Sequence, residues 1–192
     1  YDEYCLELFG MLDGMFAISL WDKNKQTLYL ARDYIGEKPL YYSKLSNNEL
    51  IYASELKALK KHPSIKLKLN KQAIWDYLSF LWVPEPQTIY EDIFALSPGY
   101  IISINNEEIS IKKYAISDKK LVPKNKKDLV SCTKEIVTRS IKSRLISDVP
   151  VGSFLSGGID SSIISAIAAK QLKRESKKLY TYTVGFEGGE DP

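Results

Sequence analysis

Apolar residues at positions 4, 5, 8, 9 and 12 recur with helical spacing, so residues 1–12 predict a helix. Four short runs follow, MFAISLW, TLYLARD, KPLYYSK and ELIYASE, rich in aromatic and β-branched residues and parted by the turn signals DKNK, YIGE and SNN. Runs this close together predict antiparallel ribbons, because parallel strands need long crossovers. ELKALKK predicts a short helix stopped near Pro63. Asn70 is placed to cap a helix over KQAIWDYLSFL, since its side-chain oxygen can accept from free first-turn amides. VPEPQT is a proline-ruled loop, and GYIISINNEEISIKKY predicts a hairpin turning at Asn105 and Asn106. Residues 1 to about 115 therefore form a β-rich α+β block.

SDKKLVPKNKK interrupts the pattern and predicts a linker over residues 116–126. Beyond it the periodicity changes. Leu129, Cys132, Ile136, Val137, Ile141 and Leu145 predict one face of a long helix. VPVGSFL is a nearly continuous apolar run, the mark of a buried parallel strand. DSSIISAIAAKQLKR predicts a second helix, apolar at Ile163, Ile164, Ile167, Ala168 and Leu172, and LYTYTVGF a further strand. This order predicts the start of an α/β domain over residues 127–192.

Composition narrows the function classes. Hydrophobic residues make up 44% of 192, enough for a buried core, and 27 basic against 24 acidic residues leave a net charge of +3, too slight for a nucleic-acid binder. No apolar run reaches the roughly 18 residues needed to span a bilayer, which predicts no membrane partner. Cys5 and Cys132 lack metal or redox spacing and suit a reducing, cytoplasmic setting. The start without Met and the end at GGEDP predict an internal piece of a longer protein.

The chemistry concentrates in FLSGGIDSS, residues 154–162, at the join between the apolar run and the second helix. Ligands of open parallel sheets bind beyond the carboxyl ends of strands, so the location is right. Gly157 and Gly158 allow main-chain amides to approach an anion, and the following helix aims its positive end at the same point. Ser156, Ser161 and Ser162 add hydroxyl donors; Asp160 is placed either to cap the helix or to hold a divalent cation. Three other motifs fail. A Walker A loop needs a lysine, and no Lys or Arg lies between Ser147 and Lys170. A dinucleotide turn needs GxGxxG, and a nucleophile elbow needs glycine where Phe154 stands.

SGGIDSS resembles the SGGxDS pyrophosphate loop of the N-type ATP pyrophosphatases. Upstream, LDGMFAISLWD, ARDYIGEKPLYY and YASELKAL resemble the later part of the glutaminase domain of asparagine synthetases. VPVGSFLSGGIDSSIISAIAAK continues the likeness in the same order. The chain is therefore similar to the glutamine-hydrolysing asparagine synthetase family over nearly its whole length. The resemblance implies two partial domains: the C-terminal part of an αββα glutaminase domain over residues 1–115, then the N-terminal part of an ATP pyrophosphatase domain over 127–192. It implies ATP and Mg²⁺ as cofactors, with Leu155, Ser156, Gly157, Gly158, Asp160, Ser161 and Ser162 against ATP and Asp160 against the metal. It implies the same for Val184, through its backbone at the adenine or ribose; a plain core valine is the alternative. Small-molecule partners follow, namely ATP, aspartate and glutamine, and a homodimer is allowed for.

In the family the glutaminase nucleophile is an N-terminal Cys, which would lie upstream of Tyr1, so the chain by itself is expected to be inactive. Cys5, inside a helical pattern, matches no family nucleophile, and Arg32, Asp33, Gly36 and Pro39 carry no assigned chemistry. Two other readings stay open: an amidotransferase acting on a different carboxylate, and a non-catalytic module with a degenerate nucleotide turn.

Overall fold

Alternating apolar positions in the first part of the chain become antiparallel sheet. The computed structural model describes residues 1–45, 49–105, 108–115 and 125–185. It divides into two units, Tyr1–Asp118 and Lys119–Pro192.

In the first unit a 3₁₀ turn, Cys5–Glu7, leads into helix α1, Leu8–Met11. Then come strands β1 (Ala17–Asp22), β2 (Thr27–Arg32), β3 (Tyr41–Lys44) and β4 (Leu50–Ala53), and helices α2 (Leu56–Leu59) and α3 (Lys71–Phe80). Strands β5 (Phe94–Ala95), β6 (Tyr100–Ile104) and β7 (Ile109–Lys113) complete it. The strands form a four-stranded sheet in the order β1-β2-β6-β7 and a three-stranded sheet in the order β4-β3-β5. Every pairing in both is antiparallel. The expected hairpin is β6–β7; Asn106, in its turn, lies outside the described residues.

Strand β2 explains the layering. Its residues are apolar on both faces because both are covered. Tyr29 and Ala31 pack with Phe9 and Ile101 on one side, while Leu30 packs with Leu40, Leu96 and Ile102 on the other. The second cluster joins the two sheets, bringing in Tyr42 and Leu50 from β3 and β4. The opening helix is shorter than its periodicity predicts. Cys5, at φ 46°, bends the chain before Leu8, and α1 spans only four residues, with Gly10 inside it. Asn70 does cap α3, accepting from the Ala73 amide at 3.2 Å.

The Arg32–Asp33 pair organises the turn after β2. Asp33 is 1% exposed, and its carboxylate accepts from the amides of Gly36 at 2.7 Å, Glu37 and Lys38 at 2.9 Å, Ile35 at 3.2 Å and Phe16 at 3.3 Å. Burial opposes the charged form, but the amides of Lys38, Glu37, Gly36 and Phe16 outweigh it and hold the group below the usual carboxylate range. Buried Arg32 donates to the carbonyls of Lys38, Leu96 and Gly36 and pairs with Glu85 at 2.8 Å. Gly36, at φ 79°, closes the turn.

In the second unit Asn125 caps helix α4 (Lys126–Ser143), accepting from the Asp128 amide at 2.9 Å. The helix thus begins at the last residue of the expected linker; the linker's residues 116–124 lie outside the described residues. Strand β8 (Gly152–Phe154), helix α5 (Ile159–Arg174) and strand β9 (Tyr180–Tyr182) follow, with β8 and β9 parallel. Two parallel strands joined by a helix are the expected βαβ unit. One expectation is corrected. The β8 run is not buried: Phe154 is 81% exposed. A parallel strand is enclosed only when helices cover both faces and strands pair at both edges. Among the described residues β8 has one paired edge, and α5 packs against it through Ser165, which meets Ser153 at 3.1 Å. For the same reason Ile163 and Ile164 stay exposed, while Ala168 and Leu172 are buried. No described helix is long and apolar enough to cross a membrane.

Two stability outcomes test the first unit. Asp33→Asn keeps the shape but removes the charge that the amides bind, and should cost about 2 kcal/mol in denaturant unfolding at pH 7. Because the folded carboxylate titrates low, that contribution is complete above the ordinary value of about 3.9 and fades as pH falls through the lower folded value. The gap between the two proteins' midpoints should narrow as pH falls below the ordinary carboxylate value; a gap of unchanged size across the acid range contradicts it. Gly99→Ala should cost about 2–4 kcal/mol by the same measurement, because φ is +73° and the new Cβ would stand 2.5 Å from Ala115 Cβ. A loss under about 0.5 kcal/mol, the range of an ordinary surface change, would contradict that crowding.

Candidate functional site: the β8–α5 turn

The sequence SGGIDSS occupies the turn between the end of β8 and the start of α5. Leu155, half-buried, is the last residue held by the parallel pair, donating its amide to Tyr182 O at 2.8 Å. The chain then turns at Gly157, whose φ of 83° lies in the left-handed region that favours glycine. Gly158 is the residue before α5, in extended conformation at φ −70° and ψ 162°. A Cβ built on Gly157 meets nothing within 4 Å among the described residues, so the space beside it is open there.

The amides define what this turn can hold. The first hydrogen-bonded amide of α5 is that of Ser162, which donates to Gly158 O at 3.1 Å. The N–H groups of residues 156–161 have no acceptor among the described residues. Free first-turn donors at the positive end of a 16-residue helix favour an anion there. The residues from Ser156 to Asp160 are exposed, so the donors are reachable.

The hydroxyls make contacts within the turn. Ser162 donates to Gly158 O at 2.8 Å and Ser161 donates to the same carbonyl at 3.1 Å. A carbonyl can only accept, so Ser161 has spent its proton, and Ser156, 3.1 Å away, donates to Ser161 Oγ. All three hydroxyls thus bond within the turn, beside the main-chain donors. Asp160 does not cap the helix. Gly158 takes that position, and Asp160 stands in the first turn with its carboxylate exposed. No group of three or more His, Cys, Asp or Glu comes together among the described residues. A metal here would therefore rest on one carboxylate and on the ligand's own oxygens, as Mg²⁺ does beside phosphates.

Val184 lies two residues past β9 and is 75% exposed among the described residues. Cys5 is exposed in the first unit and Cys132 half-buried on α4, neither with a partner cysteine. Pattern reading missed Thr183. Its hydroxyl donates to Leu155 O at 2.8 Å, a contact between residues 28 apart for which strand periodicity holds no signal.

Residues 1–115 match the family described as glutamine amidotransferase domain, and residues 133–192 match asparagine synthase. The chain is 39% identical to asparagine synthetase [glutamine-hydrolyzing] 1 of Bacillus subtilis over 97% of its own length and 29% of that protein's. It is 34% identical to a putative glutamine-hydrolysing asparagine synthetase of Methanocaldococcus jannaschii, over 100% of this chain and 37% of the relative. It is also 32% identical to an amidase of Gibberella zeae, over 98% of this chain and 30% of the relative. The chain thus spans about a third of the length of the curated relatives it matches. With one match running through the antiparallel sheets and the other through the turn that presents free amides, the chain belongs to the glutamine-hydrolysing asparagine synthetase family.

Proposed function

We propose that this chain is part of an enzyme that makes asparagine from aspartate, glutamine and ATP, releasing glutamate, AMP and pyrophosphate. Residues 1–115 are then the later part of a glutaminase domain, 116–126 a linker, and 127–192 the opening of an ATP pyrophosphatase domain. The observation that carries this reading is the run of amides over residues 156–161 without an acceptor among the described residues, at a strand end and a helix start, with no cationic side chain in the turn.

Adenylation of the aspartate side chain gives its carboxylate a leaving group, AMP, which ammonia from glutamine then displaces. The leaving group of the first step is pyrophosphate. The amides of residues 156–161 hold its oxygens as charge develops, which is stabilisation by prearranged dipoles. Gly157 keeps side chains out of their path, and Leu155 ends the strand beneath. Asp160 would hold Mg²⁺, which would supply positive charge to offset that of the phosphates. The main chain at Val184 meets the adenine or ribose. With unpaired thiols and small-molecule substrates, the protein works in the cytoplasm.

A related carboxylate acceptor is a second reading, favoured by the match to the Gibberella zeae amidase at an identity close to that of the synthetases. Pyrophosphate release measured across a panel of acids separates the two, since only one acceptor should raise it well above background.

In the full-length protein, Asp160→Ala should reduce asparagine formation at least 100-fold, the scale on which losing one transition-state charge contact acts, while glutamine hydrolysis continues. Parallel assays of asparagine and glutamate check this. Asparagine formation retained within a few-fold, or equal loss of both activities, would contradict the role given to Asp160.

A further inference from the structure

The amide and the carbonyl of Leu155 are both held by the far strand, but by different kinds of group. Its N–H donates to Tyr182 O at 2.8 Å, as a parallel ladder requires. The ladder's next step would bring the N–H of Val184 to Leu155 O. That bond is absent among the described residues, and the Thr183 hydroxyl occupies the carbonyl instead, at 2.8 Å. A side chain has replaced a main-chain donor at the last rung before the turn.

Two consequences follow from peptide geometry. The peptide joining Leu155 to Ser156 is planar and trans, so the Ser156 N–H points opposite to Leu155 C=O. Whatever fixes that carbonyl fixes the direction of the first free amide of the turn. Meanwhile the Val184 N–H, not drawn into the ladder, has no acceptor among the described residues. Thr183 itself is exposed and touches no core, so its hydroxyl is not needed to fill space.

We propose that Thr183 is a positioning residue for nucleotide binding: its hydroxyl aims the Ser156 amide into the turn and keeps the Val184 main chain out of the sheet, available to the nucleoside. This deepens the pyrophosphate-turn reading and rests on it. Thr183 acts through Leu155 and Ser156 and touches no reacting atom.

The test uses the full-length protein with ammonia as nitrogen source, comparing Thr183→Val, Thr183→Ser and Gly157→Ala. The readouts are KM for ATP, kcat, and inhibition by inorganic pyrophosphate. Thr183→Val keeps the shape and deletes the hydroxyl; it should raise KM for ATP and weaken pyrophosphate inhibition on the order of five-fold each, the worth of one hydrogen bond. KM should change more than kcat, and Thr183→Ser should stay within about two-fold of the parent, because the hydroxyl is kept. The proposal is overturned if Thr183→Val leaves both ligands' affinities unchanged, if Thr183→Ser is as impaired as Thr183→Val, or if only kcat falls. Gly157→Ala separates the two layers. If it weakens ATP while Thr183→Val does not, the role of Thr183 alone is wrong. If neither weakens ATP, the turn is not the pyrophosphate site and both readings fall.

Discussion

The constraint on which the second unit depends is that a helix beginning directly after a strand leaves main-chain amides without acceptors. Among the described residues no acceptor meets the N–H groups of residues 156–161, and the first α5 bond starts at Ser162. A folded protein accepts that arrangement at an exposed turn, where water or a ligand supplies the missing acceptors. Gly157 adopts a left-handed backbone in the middle of this run. The pairing of Gly152–Phe154 with Tyr180–Tyr182 anchors the turn from below. Ser161 and Ser162 tie back to Gly158 O and brace the first helical turn.

The first unit shows the same principle with the opposite outcome. There, five converging amides around the turn after β2 are satisfied from inside, by the Asp33 carboxylate. A buried charge is stable only when such donors surround it, and Arg32 meets its own requirement through three carbonyls and Glu85. This pair ties the turn after β2 to Leu96 and Glu85. One turn has its anion built in; the other presents its donors outward.

How much of this was legible in the sequence depended on the range of the interactions. Strands β1 to β4, the β6–β7 hairpin and the Asn70 cap follow from periodicity and local turn chemistry, and all are present. Strand β5 spans only two residues, Phe94 and Ala95, too short for any period to register, and exists because β3 offers it an edge. The opening helix was overestimated because Phe9 and Tyr1 reach their partners, Tyr114 and Asp22, through a broken path rather than a straight helix. The buried character of VPVGSFL and of Ile163 and Ile164 was an inference from apolarity alone; burial needs covering elements, and the described residues supply them on one side only. In the site, the glycines and the helix start were readable. The spent serine protons and the Thr183 contact were not, because both depend on which groups the fold brings within 3 Å.

The most direct measurement is a titration of this chain with inorganic pyrophosphate and Mg²⁺, followed through backbone amide chemical shifts. The account predicts that the largest shifts fall on the amides of residues 156–161, with smaller ones at Leu155 and Thr183. Shifts centred on the lysine-bearing surface of α4, or none in the turn at saturating ligand, would contradict it.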